Sequence, residues 1–345
     1  MGFVHQPNLR IYLSFERDFF TLAGGVISYI ILINLPILLN KLTTMDRKIL
    51  TGISSTAYEH PFDRKALASL QNMPGISPLL KKVNEYGIDR LLRLQSIASE
   101  IRVTPRNFPQ LYQPLLEACQ ILDVTTIPEL YLFRGTGHIK TYIIGVEKPI
   151  IGINIEAMEW LNYDELLFIF GYEIARIKSQ HMIYHQISIV MPALKVWLSS
   201  TTLGLGGLIA SGVELALYNW VMMAKFTADR AGLLACQNID VATTALMKLA
   251  GLPEEYLTPN VIEDFLIQSR EFTANSVDNL DQVTKILSYS ESHLSWLVMR
   301  TGELLKWVDS GAYNHLIEDE NMNTPETGEI PETGEKEGWN FLNSW

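Results

Sequence analysis

A mainly α-helical chain with one small antiparallel β-sheet, an α+β domain preceded by an N-terminal hydrophobic helix, is the fold class this sequence predicts. Three observations carry that prediction. Long stretches repeat their apolar residues at helical spacing, most clearly from Phe168 to His181. Residues 129–154 switch to short β-rich runs punctuated by glycine and proline. Residues 19–40 carry no charge over 22 positions, about the length a helix needs to cross a bilayer.

Composition narrows the function classes. With 345 residues and 48% hydrophobic content, the chain can bury a full core. Its net charge of -11 is uneven: residues 318–345 hold eight acids against one lysine, which leaves the body at about -4. No basic stripe runs along the chain, so nucleic acid is not an expected partner. Cys119 and Cys236 are isolated in apolar helical contexts and form neither a disulfide framework nor a Cys-x-x-Cys site.

In chain order, residues 1–18 form a short N-terminal segment and residues 19–40 the membrane-associated helix. That helix is too long for a cleaved signal peptide and lacks an Ala-x-Ala-like exit. Asn34 and Pro36 weaken its far end, so a re-entrant, interfacial or buried placement stays open beside a true span. Arg10 and Arg17 precede it, whereas Lys41, Arg47, Lys48, Arg64 and Lys65 follow. The positive-inside rule therefore places the bulk of the chain on the cytoplasmic side. Residues 41–99 read as a helical connecting region with breaks such as Pro74-Gly75. His60, inside Glu59-His60-Pro61, reads as a turn residue.

The runs Glu129 to Phe133, Thr141 to Gly145 and Ile150 to Asn154 predict an antiparallel meander, with His138 in an exposed turn. A helix starting near Tyr163 follows, with Asp164 and Glu165 in its first turn. Residues 187–213 form a second apolar block, uncharged from Val196 to Val213 and rich in glycine, serine and threonine. It predicts a buried or interfacial hairpin, with a true span as the alternative.

Within the 163 helix, Tyr172-Glu173-Ile174-Ala175-Arg176 has the frame of His-Glu-x-x-His, a helical zinc-binding motif, with both histidines replaced. Farther on, Lys225-Phe226-Thr227-Ala228-Asp229 is followed by Ser292-His293 and Arg300. Taken in order over residues 100–317, these blocks resemble the M48 family of zinc metallopeptidases, the group of the HtpX and CAAX-prenyl type. The resemblance implies a zincin-like domain in which two histidines and a glutamate hold zinc, and in which the glutamate of the first motif is the general base. It places Glu173 at that base and His181, Asp229, His293 and Arg300 at supporting positions. Tyr172, Arg176 and Lys225 stand where the metal ligands belong.

Coordination chemistry leads to the same expectation. Zinc takes imidazole, thiolate or carboxylate donors, whereas Arg and Lys have no free lone pair at neutral pH. Each of two such cations repels a dication by about 8 kcal/mol, taking roughly 4 Å and an effective dielectric of about 20. No cofactor is therefore expected. An ion pair from Arg176 or Lys225 to Glu173 is expected to crosslink the two motif helices instead. His181 and His185 share a helical face at a metal-binding spacing but sit off the old ligand face, so hydrogen bonding is their simpler role.

Beyond residue 318 the acidic tail repeats Pro-Glu-Thr-Gly-Glu at 325–329 and 331–335, a composition that cannot fold alone. Its end, Trp339 to Trp345, has the aromatic content of a docking peptide. Three functions follow. One is a membrane-associated peptidase-like protein without catalysis that binds protein or peptide in a regulatory role. The second is a metalloendopeptidase with unusual zinc ligands, and the third a structural membrane protein.

Overall fold

A computed structural model describes residues 47–201, 205–275 and 296–318. The chain divides into Met1–Arg47 and Lys48–Trp345, and the fold is that of the second unit. The predicted helix 19–40, His293 and the tail beyond Glu318 lie outside the described residues.

Three helices open the fold: α1 (Pro61–Gln71), α2 (Ile76–Glu85) and α3 (Ile88–Ser99). The short strand β1 (Ile101–Val103) leads into α4 (Pro109–Ile121), then β2 (Glu129–Phe133), β3 (Thr141–Ile144) and β4 (Ile150–Asn154). The sheet order is β1-β2-β4-β3. β3 and β4 form the expected antiparallel hairpin, and β1 also runs antiparallel to β2. The centre corrects the predicted meander, because β4 lies beside β2 in parallel, with Leu130 opposite Ile151, and the sheet is mixed. The hairpin folds so that β4, buried at every position, takes the centre and β3 takes the edge.

Past α5 (Ile155–Trp160), α6 (Tyr163–Lys178) runs through the middle of the molecule. Asn162 caps it: its side chain accepts from the Glu165 N–H at 3.0 Å, and Glu165 answers by accepting from the Asn162 N–H at 2.9 Å. This capping box meets two otherwise unmet backbone donors and sets the first residue of the helix. Every residue from Leu166 to Ala175 is buried, as expected of a helix that other elements enclose on all sides.

α7 (Met182–Thr201) and α8 (Leu205–Cys236) follow and pack on each other, with α8 also crossing α6. No helix among the described residues is long and apolar enough to cross a membrane. Ile187, Met191 and Val213, at the two ends of the apolar block, and Leu217 just beyond it are buried with Leu67 and Leu70 of α1. α9 (Ile239–Leu249), α10 (Pro259–Asn275), α11 (Leu297–Asp309) and α12 (Ala312–Glu318) complete the described chain.

Two glycines let α6 and α8 approach closely. A Cβ on Gly171 would lie 2.5 Å from Ala235 Cβ and 2.8 Å from the Ala231 carbonyl oxygen. One on Gly232 would lie 2.8 Å from the Phe168 ring. Gly171 precedes Tyr172, and Gly232 lies three residues after Asp229, so this crossing brings the two motif segments together.

Candidate functional site

The α6–α8 crossing, with α11 packed against α8, gathers Tyr172, Glu173, Arg176, Lys225, Asp229 and Arg300 into one cluster of mostly buried groups. Its firmest contact joins α11 to α8. Arg300 donates from Nε to Asp229 Oδ2 at 2.9 Å and from Nη2 to Oδ1 at 2.6 Å. This bidentate fork holds both charges in the interior, where either alone would be costly. Burial lifts the Asp229 carboxyl above its ordinary range against the pull of Arg300. Burial also opposes the Arg300 charge, but Asp229 outweighs it and the guanidinium stays protonated.

Tyr172 lies between two guanidiniums. The Arg300 Cζ sits 5.2 Å from its ring centroid and the Arg176 Cζ 5.3 Å, distances at which a cation is drawn to the aromatic face. Arg176 also donates from Nη2 to the Tyr172 hydroxyl at 3.1 Å and from Nη1 to His185 Nδ1 at 2.9 Å. Burial raises the Tyr172 pKa, so the phenol keeps its proton. Burial, then the nearby Arg176 and Lys225, push His185 well below its ordinary value, so it is neutral and accepts.

Glu173 accepts from Thr141 of β3 through Oε1, while its Oε2 lies 3.7 Å from Arg176 Nε and neither of those two atoms has a hydrogen-bond partner. The structure corrects the expected crosslink. The Glu173–Arg176 pair lies within α6, and the cluster's charged link between helices, Asp229–Arg300, joins α8 to α11. Among the described residues, no hydrogen bond or ion pair engages the Lys225 ammonium. Burial, with Arg300 and Arg176 adding repulsion, lowers its pKa from 10.5 to about 7 against the pull of Asp229.

This donor set does not fit zinc. The phenol of Tyr172 is protonated and already accepts from Arg176, burial opposes the Arg176 charge but Glu173 holds it cationic, and one lysine amine cannot supply three ligands. Among the described residues, no group of three His, Cys, Asp or Glu side chains could hold a metal ion. His181 stacks edge-on to Trp220 at 6.2 Å, whereas His185 turns to Arg176, so the two histidines serve different partners. His293 lies outside the described residues.

A second polar network lies along α8 and escapes sequence reasoning. His60, read from the sequence as a turn residue, is the buried N-cap of α1: its Nδ1 accepts from the Phe62 N–H at 3.1 Å. That leaves Nε2 to donate to Glu303 Oε2 at 3.0 Å. Burial lowers the His60 pKa to about 4, so the ring is neutral. Asp63, buried, accepts from Trp220 Nε1 at 2.9 Å and Thr227 Oγ1 at 2.6 Å, and burial raises its pKa to about 6. The only local signal is that Lys225, Thr227, Asp229 and Arg230 crowd polar groups into one stretch of a largely apolar helix. Their partners are too far along the chain to be read from spacing.

Comparison with known proteins gives the family. Plastoglobule-localized metallopeptidase 48, chloroplastic, from Arabidopsis thaliana is 26% identical over 265 residues, covering 76% of each chain. No solved structure matches. The profile described as Peptidase family M48 matches residues 105–293, more than half of the sequence and including both motif helices. The chain is therefore a member of peptidase family M48.

Proposed function

We propose that this chain is a non-hydrolytic M48 protein that binds protein or peptide in the cleft its family uses for catalysis, in a regulatory role at a membrane surface. The observation that carries this reading is the replacement of the whole metal donor set by Tyr172, Arg176 and Lys225, with Arg176 built into a hydrogen-bonded cluster. Peptide binding has its own support. β3 is an edge strand, no strand among the described residues pairs with its outer side, and its Thr141 bonds directly to Glu173. An extended peptide adding to that edge by backbone pairing runs into the cluster. Membrane attachment rests on residues 19–40, with the bulk of the chain facing the cytoplasm by its flanking charges. The relative's plastoglobule name accords with a membrane or lipid surface.

One observation favours the alternative of a hydrolase with unusual zinc ligands: Glu173 is retained, buried, with one carboxylate oxygen unmet. Incubating the full chain with casein and added zinc, beside Glu173→Gln, separates the two. The proposal expects no cleavage products from either protein by mass spectrometry. Zinc-dependent cleavage lost in Glu173→Gln would overturn it.

A further inference from the structure

Charge in the cluster does not balance. Of its two carboxylates, Asp229 is taken by the Arg300 fork and Glu173 stands 3.7 Å from Arg176 Nε. Among the described residues Lys225 is then a third cation without an anion, and the protonated cluster sums to +1. Arg300 is fully enclosed, whereas Lys225 is only partly buried and remains within reach of solvent. An ammonium held among two guanidiniums is relieved in one of two ways, by losing its proton or by gaining an anion.

We propose that Lys225 is the anchor of a carboxylate-binding site in the cleft, which receives the free carboxylate of a bound molecule where other family members present a carboxylate of their own. The inference rests on the peptide-binding reading above and deepens it by naming the ligand's recognised group. A monoanion brings the cluster to zero. A phosphate dianion would overshoot to -1 and face Glu173 and Asp229 besides, so the site selects a carboxylate. Charge-assisted hydrogen bonds from the ammonium supply the attraction, and the partly desolvated surroundings strengthen it. Burial, then Arg300 and Arg176, lower the Lys225 pKa to about 7, so the amine still carries most of its charge at pH 6.5. A carboxylate of this kind is offered by a peptide C-terminus and by a fatty acid, and the chemistry at Lys225 is the same for both.

The test uses the full chain and fluorescence polarisation at pH 6.5. The probes are two labelled N-acetylated hexapeptides of one apolar sequence, one ending in a carboxylate and the other in a carboxamide, with palmitate as competitor. The expected result is that the carboxylate ligand binds about tenfold more tightly than the carboxamide, that Lys225→Met abolishes the difference, and that Lys225→Arg keeps it. Thermal melts confirm that both variants fold. Displacement by palmitate in the wild type but not in Lys225→Met also supports the site and assigns the lipid source. Equal affinity for both peptides without palmitate competition, no binding of any probe, or a preference that survives in Lys225→Met would overturn the proposal. Cleavage of the hexapeptides, read by mass spectrometry, would instead sink the non-hydrolytic reading on which it rests.

Discussion

Lys225 is the residue on which the cluster's energetics turn. Its folded pKa of about 7 lies below the ordinary value, so between those two values the unfolded chain holds more protons than the folded one, and stability rises with pH across that window. Below pH 7 the cost of housing the ammonium is fully present. The groups facing it are Arg176 on α6, His185 on α7, Asp229 on its own helix and Arg300 on α11. Of these, His185 is neutral and Asp229 is committed to Arg300. Lys225→Met is therefore expected to stabilise the protein at pH 6, by about 2–4 kcal/mol after allowance for partial exposure, and by clearly less at pH 9. Urea denaturation at the two pH values checks it, and an equal gain at both would show that the charge is not the cause. The opposite holds for the fork. Arg300→Met leaves Asp229 buried and unpaired and is expected to cost about 3–5 kcal/mol in the same measurement. A loss below about 1 kcal/mol would mean that the pair contributes little.

At the scale of elements, the site exists because α6 and α8 cross at Gly171 and Gly232. Gly171→Ala forces a methyl to within 2.8 Å of backbone and should cost about 1–3 kcal/mol despite the better helix propensity of alanine. Gly212 supplies the control on α8: a methyl there meets only Met73 Cε at 3.6 Å, an ordinary contact, so Gly212→Ala should gain up to about 1 kcal/mol. Thermal melts of the two variants moving in the same direction would refute the close-crossing account. The start of α6 at Tyr163 was legible in the sequence because its determinants, Asn162 and Glu165, are local. Strand order was not legible. Alternation marks a strand and its faces but not its neighbour, and the parallel pairing of β2 with β4 is settled by which strand's side chains are apolar enough to take the centre.

Across the whole molecule, what could be read and what could not divide by distance along the chain. The motif frame 172–176 and the segment 225–229 each stand in contiguous sequence, so their altered residue types could be read directly. The expected Glu173 crosslink differed from the structure because ion pairing depends on which side chains the crossing aims at one another. Arg176 is drawn instead to Tyr172 and His185, and α11 brings Arg300 to Asp229 across 71 positions. The burial of His60 has the same origin, since Thr227 and Glu303 lie 167 and 243 residues away. The central claim is that side-chain charge stands where the family holds its metal. Zinc per chain tests it most directly, by elemental analysis of protein purified without chelator or affinity-tag metal, beside the triple variant Tyr172→His, Arg176→His, Lys225→Glu that restores the donor set. The expected result is zinc near zero in the wild type and about one per chain in the triple variant. About one zinc per wild-type chain, lost on His181→Ala with His185→Ala, would contradict the claim.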